Sequence, residues 1–225
     1  MAPGSDLPPW GREEITDAAR RSDGLVRVTP IADLGRPLGD WDLILKLEHL
    51  QLTGSFKARG ALSAVTAMAR PGGVIAASGG NFGAAVAYAA SRLGRSSTIF
   101  VPETSPPEKI DRIRSHGADV RVVPGYYDEA RQAAEDLGRE LETTPLHAYD
   151  QPEVVAGQGT LAKELSAQVG ADAVLVAVGG GGLIAGIAGW YQGDTRVVAI
   201  EPEMCPALNA ALQAGTPVEA AVGGV

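Results

Sequence analysis

Val74-Ile75-Ala76-Ala77-Ser78-Gly79-Gly80-Asn81-Phe82-Gly83 is the stretch that decides the fold. Four apolar residues run into small polar and glycine residues, and a helix-compatible, small-residue stretch follows over 82–93, closed by Gly94. A short apolar run bounded by turn residues reads as a buried strand, and a helix after it opens a βαβ unit. The pattern recurs downstream. Strands are predicted at 98–101, 120–123, 146–149, 174–178 and 196–200. Helices are predicted at 108–115, 127–142, 154–169, 183–191 and 206–214, with 127–142 the most charged and therefore solvent-facing. Upstream, 43–48 alternates as a strand, and 58–69 reads as a helix stopped by Arg70-Pro71-Gly72-Gly73. Strands separated by helices of this length pair in parallel, and apolar strands without alternation imply cover on both faces. The fold class is α/β.

The 225 residues leave room for one large domain or two small ones. With 45% apolar and 20% charged residues the chain builds a core, and its 29 glycines and 15 prolines favour tight turns over a coiled coil. A formal charge of −8, with no basic stripe to offset it, excludes nucleic acid and anionic membrane surfaces as partners. Cys205 stands alone, so neither an intramolecular disulfide nor a Cys-cluster metal site can form. Met1 to Trp10 has no apolar h-region and is not a secretory signal. Residues 173–191 are uncharged, but four glycines sit in their middle, each costing a helix about 1 kcal/mol relative to Ala. A strand, a loop and a helix in series explain them better than a membrane span.

Three constellations can do chemistry. In Thr53-Gly54-Ser55-Phe56-Lys57-Ala58-Arg59-Gly60, Lys57 stands at a helix start, where the macrodipole disfavours the ammonium. A lysine kept partly neutral can attack a carbonyl and form a Schiff base; the plain alternative is a surface lysine in a first turn. Ser78, Gly79, Gly80 and Asn81, with Asn81 as N-cap, leave backbone N–H groups free for a carboxylate; the alternative is a purely structural turn. Gly179, Gly180, Gly181 and Gly182, before Leu183, can wrap a phosphate with main-chain donors. A rival reading takes Gly180, Gly182 and Ala185 as a dinucleotide fingerprint, with Glu201 on the ribose. Too few residues follow Glu201 for the second half of such a fold. His49, His116 and His147 are scattered without ligand spacing, so no metal is expected. A lysine, a carboxylate cradle and a phosphate cradle together describe a seat for pyridoxal 5'-phosphate acting on an amino acid.

From Thr29-Pro30 to Glu201-Pro202 the chain resembles the fold type II pyridoxal-phosphate enzymes, of tryptophan synthase β-like architecture, and within them the threonine/serine dehydratases. The ordered matches include Lys46-Leu47-Glu48-His49-Leu50-Gln51, the lysine segment, Ser78 to Gly83, and Val101-Pro102-Glu103-Thr104 with Lys109. They continue through His116-Gly117-Ala118-Asp119-Val120, Tyr149-Asp150-Gln151-Pro152, Ala156-Gly157-Gln158-Gly159-Thr160 and the tetraglycine. Ala58 stands where cysteine and threonine synthases have Asp. The resemblance implies that Lys57 binds the cofactor and later moves the α-proton, with Phe56 beside the ring and Asn81 on the ring hydroxyl. It also implies that Ser78, Gly79, Gly80 and Asn81 meet the substrate, and that Gly179, Gly180, Gly181, Gly182 and Leu183 meet the phosphate.

The implied protein is a cytoplasmic, homodimeric lyase of amino-acid metabolism. It would convert L-threonine or L-serine to a 2-oxo acid and ammonia. Serine racemase, another enzyme of this fold, or a truncated non-catalytic relative are the alternatives. The implied domains are 54–147, and 1–53 with 148–225, the latter short at its C-terminal end. Phe82 replaces a histidine common in dehydratases, and Gly79 replaces the serine that serves as proton donor in serine racemases. The cation-binding Asp of some relatives is Ala207 here.

Overall fold

The computed structural model describes residues 9–68, 73–141, 143 and 145–218. It opens with helix α1, Arg12–Arg21, whose first turn is held by Glu14 accepting from Gly11 N at 2.8 Å. Strands β1, Ile31–Asp33, and β2, Ile44–Lys46, pair antiparallel and lead through two 3-10 turns into α2, Lys57–Ala67. Strand β3, Val74–Ala77, is followed by α3, Asn81–Arg92, then β4, Ser97–Pro102, α4, Pro107–Ser115, β5, Asp119–Val123, and α5, Tyr127–Glu140. Helix α6, Pro152–Gln168, precedes β6, Ala173–Ala177, α7, Gly182–Tyr191, β7, Arg196–Ile200, and α8, Ala207–Ala214.

The parallel sheet expected from the sequence is present as β3-β4-β5 and, separately, as β6-β7. Successive side chains of β3 face opposite ways. Val74 and Ala76 pack with Leu62, Val65, Val86 and Ile113, while Ile75 and Ala77 pack with Ala130 and Ala134 of α5. Helix α5 is thus charged outside and small inside, as its composition required.

Two elements are new and three expectations change. The N-terminal segment contains α1 and β1, neither of which the apolar pattern announced. Residues 146–149 are not a strand: Leu146 makes a single parallel bridge to Ala76, and the chain then turns. Cover on both faces holds for β3 and β4 but fails for β5, where Val122 is 47% exposed, and for β6-β7, where Leu175 is 58% and Ile200 49% exposed. Asn81 is not the N-cap of α3. Gly80 takes that place and Asn81 is the first helical residue. The stop sequence ends α2 at Ala67, and most of it, with Ala69 and Glu142, lies outside the described residues.

Glycines bring three helices into backbone contact. A Cβ on Gly157 of α6 would lie 2.7 Å from Gly60 Cα of α2, and one on Gly186 of α7 would lie 2.6 Å from Gly159 N. No side chain fits there. Gly186→Ala is expected to force α6 and α7 apart and lower stability by about 1–3 kcal/mol, the usual cost of overpacking, read from the urea midpoint.

Candidate active site

Lys57 is the first residue of α2. The turn before it bends through Thr53 and Gly54, at φ 59° and 64°. For Thr53 that left-handed conformation costs about 1–2 kcal/mol. The Thr53 and Ser55 hydroxyls are buried with no hydrogen-bond partner among the described residues. Lys57 is half-buried and its Nζ donates to the Ala148 carbonyl at 2.7 Å. The amine lies 5.2 Å from the centre of the Phe56 ring and 5.7 Å from that of Phe82. No carboxylate pairs with it among the described residues. Burial pulls its pKa down from 10.5 to about 8, so desolvation lowers it without a cationic neighbour.

The tetraglycine packs on the segment that receives this amine. Gly181, at φ 83°, caps α7 in the left-handed region. A Cβ on Gly182 would lie 2.8 Å from the Tyr149 Cα and carbonyl oxygen, and one on Gly180 would enter the Tyr149 ring. Tyr149 follows Ala148, whose carbonyl receives Lys57, so one short segment touches both features. Phe56 and Leu183 pack against one apolar cluster, which contains Val176 and Ile187. The N–H groups of Gly179, Gly180, Gly181, Gly182, Leu183 and Ile184 meet no acceptor among the described residues, the first partner being Ala185 N to Gly181 O. Free donors at a helix N-terminus favour an anion.

The second turn is built alike. Ser78 N bonds to Phe100 O and Gly80 N to Ser78 Oγ at 3.3 Å, while the N–H groups of Gly79, Asn81, Phe82 and Gly83 have no acceptor among the described residues. Asn81 is exposed, and its Oδ1 accepts from Arg112 Nη1 at 3.5 Å. Arg112 also donates to the Thr53 carbonyl, tying this turn to the lysine turn. A Cβ on Gly79 would run into Ser105 Oγ. Lys57, Phe56, Phe82 and the tetraglycine are therefore gathered together, and the Ser78 to Gly83 turn joins them through Phe82. Glu201 is occupied elsewhere, its oxygens accepting from Leu208 N and Asn209 N at the start of α8. Among the described residues no three His, Cys, Asp or Glu side chains converge on a metal-sized site, and no helix is long and apolar enough to cross a membrane.

Behind Lys57 lies a buried ion network that the sequence reading missed. Arg59, 1% exposed, donates to both oxygens of Glu48 at 2.8 and 2.7 Å and to both of Glu164 at 3.0 and 3.1 Å. Lys46 donates to Glu164, to Gln168 Oε1 and to the Thr29 carbonyl. Two cations and two carboxylates balance. Burial pushes Glu164 up, yet hydrogen bonds from Arg59 and Lys46 outweigh it and hold the carboxyl below the usual range. The available signal was Glu164 and Gln168 standing at helical spacing from Gly157 and Leu161, on the face that packs inward.

The family model described as pyridoxal-phosphate dependent enzyme matches residues 23–223. The L-threonine ammonia-lyase of Geobacter sulfurreducens is 40% identical over 187 residues, covering 80% of this chain and 46% of that protein. The L-threonine dehydratase biosynthetic IlvA of Haemophilus influenzae is 37% identical, covering 86% and 39%. The chain spans about half the length of the curated relatives it matches. Among solved structures, a threonine deaminase from T.th. superposes with TM-score 0.84 at 38% identity, covering 92% of this chain and 70% of that one. The serine racemase of Dictyostelium discoideum gives 0.85 at 30% identity, covering 92% and 71%. The chain belongs to the pyridoxal-phosphate dependent enzyme family, in the threonine/serine dehydratase branch of fold type II.

Proposed function

We propose that this chain works as a serine/threonine ammonia-lyase, with Lys57 as its catalytic amine and pyridoxal phosphate as its cofactor. The observation behind the reading is the desolvated Lys57 Nζ, bonded among the described residues only to the carbonyl of Ala148, whose neighbour Tyr149 packs on the glycine turn. The residues present fit the group: a near-neutral amine, a turn where side chains cannot fit, and a row of free N–H donors. Gly179, Gly180, Gly181, Gly182 and Leu183 would hold the phosphate, Phe56 would pack on the ring, and Asn81 would meet the ring hydroxyl. When bound, the cofactor supplies an electron sink for charge developing at the amino-acid Cα.

The chain's own residues supply the rest. The N–H groups around Ser78, Gly79, Gly80 and Asn81 would fix the substrate carboxylate, which orients the Cα–H bond towards Lys57. Lys57 would take that proton and hand it to the departing β-hydroxyl, a task suited to a base poised near the working pH. Phe56 and Phe82 keep water from the amine. Loss of the β-hydroxyl as water leaves an enamine, and one water hydrolyses this to the 2-oxo acid and ammonia. We further read 54–147 as one domain and 1–53 with 148–225 as the other, the seat lying between them. This is supported by the separate β3-β4-β5 and β6-β7 sheets. A cytoplasmic homodimer belongs to the same reading and rests on the resemblance.

The test is direct. Protein whose pyridoxal-phosphate loading has been measured by absorbance is given L-threonine or L-serine, and ammonia and 2-oxo acid are assayed together. Equal amounts of both are expected. Well-loaded protein that forms neither, or only inverts the α-carbon, overturns the reading.

A further inference from the structure

The segment that joins the amine to the glycine turn is itself held by side chains. His147 Nδ1 accepts from Asp150 N at 2.9 Å and from Tyr149 N at 3.4 Å, closing residues 147–150 into a turn. Both contacts need a lone pair on Nδ1, so the ring must be neutral with its proton on Nε2. The backbone of this turn has two duties already described. Its Ala148 carbonyl receives Lys57, and its Tyr149 packs backbone and ring on Gly182 and Gly180. The Tyr149 ring also stands edge-on to the imidazole, 4.6 Å between centroids. Gln151 Oε1 fixes the other end, accepting from His147 N at 3.0 Å.

We propose that His147 is a positioning residue whose Nδ1 lone pair holds the 148–150 turn, aiming the Ala148 carbonyl at Lys57 and seating Tyr149 against the glycines. The inference rests on the cofactor seat proposed above and is independent of the substrate. Protonation of Nδ1 puts a donor against two backbone donors, and the turn must open. The proposal therefore couples the seat to pH. The groups facing the imidazole are Asp150 in its own turn, Tyr127, Arg131 and Glu135 of α5 across the cavity they share with it, and Lys57 of α2. Burial favours the neutral ring, assisted by the charges of Arg131 and Lys57 and opposed by Asp150 and Glu135. The net effect keeps its pKa below 6.5. The acid limb accordingly lies on the acid side of 6.5.

Two variants separate an acceptor from a mere space-filler. In His147→Asn, an amide oxygen can accept from N–H groups two and three residues on, without titrating. In His147→Leu no acceptor remains. The first measurement uses cofactor-free protein, following the His147 ring nitrogens and the Asp150 amide by NMR from about pH 8 to about pH 5, across the ordinary histidine value of about 6.5. The expected result is an Nε2–H tautomer at the alkaline end. Asp150 amide protection should then fall as the ring titrates in the wild type and stay flat in His147→Asn. The second measurement is the pyridoxal-phosphate dissociation constant over the same range. The wild type should weaken by about five- to tenfold more than His147→Asn on acidification, the scale of one lost hydrogen bond, whereas His147→Leu should be weak throughout. An Nδ1–H tautomer, an equal acid limb in His147→Asn, or a His147→Leu protein matching His147→Asn would overturn the proposal. Failure of all three proteins to bind pyridoxal phosphate defeats the seat itself, while the cofactor-free measurement still judges the turn.

Discussion

Lys57→Ala is expected to lose the absorbance that pyridoxal phosphate gains on condensing with a protein amine, and to lower turnover by at least about 10²–10⁴-fold, the scale of a missing general base. Difference spectroscopy and the coupled ammonia assay check it. An unchanged spectrum in the variant would place the reactive amine elsewhere. With a pKa of about 8, roughly half of the Lys57 side chains are neutral at that pH, against about 0.3% of lysines titrating at 10.5. Condensation should therefore accelerate as the pH rises through about 8 and then level off. The sign for stability follows from the same shift. The folded amine binds its proton less tightly than the unfolded one, so this group's contribution rises with pH between about 8 and 10.5. Lys57→Arg keeps the charge but presents a guanidinium that stays protonated, so it should behave as the alanine variant does.

Arg59→Ala should be the most destabilising single change, costing about 3–5 kcal/mol because two buried carboxylates lose their shared partner. For a chain of this size that is a fall in melting temperature of about 10 °C, measurable by calorimetry. Arg59 sits two residues after Lys57 on the same helix and ties that helix to Glu48 and to Glu164 of α6. The variant should consequently bind pyridoxal phosphate more weakly even at temperatures where it is folded. Acid sensitivity should change as well. In the wild type the depressed Glu164 contributes stability that is present above its ordinary value of 4.5 and lost as the pH falls through its folded value. Without Arg59, only Lys46 and the Thr29 N–H oppose burial at that carboxyl, so its depression shrinks and the stability it loses on acidification shrinks with it. A melting temperature within about 2 °C of the wild type, under 1 kcal/mol for a chain of this size, would mean that the network adds little.

The strand–turn–helix units were readable because their signal is local. In β3 and β7 four or five consecutive residues are apolar or paired with turn residues, and the observed bounds coincide with the sequence reading. Strand β1 spans three residues and takes its identity from antiparallel pairing with β2, which no period reveals. Residues 146–149 have strand-like composition, yet the imidazole of His147 satisfies the following N–H groups and diverts the chain into a turn. Asn81 was misplaced by one residue because Gly80 already supplies the non-helical cap conformation. The glycines and the lysine of the site were legible through their cost: such residues are disfavoured unless something must approach closely or react. Glu164 and Lys46 are separated by 118 positions, and nothing in either neighbourhood names the other.

The backbone contacts of α6 with α2 and α7 have one more effect. Helices that meet through side chains can slide and re-rotamer to absorb an error of a few tenths of an ångström. Where Gly60 faces Gly157 and Gly159 faces Gly186, main chain rests on main chain, with no torsions left to adjust. Helix α6 therefore serves as a fixed gauge, presetting the span between the Lys57 helix and the glycine turn, so that the length of molecule the proposed seat admits is set by the scaffold before any molecule arrives.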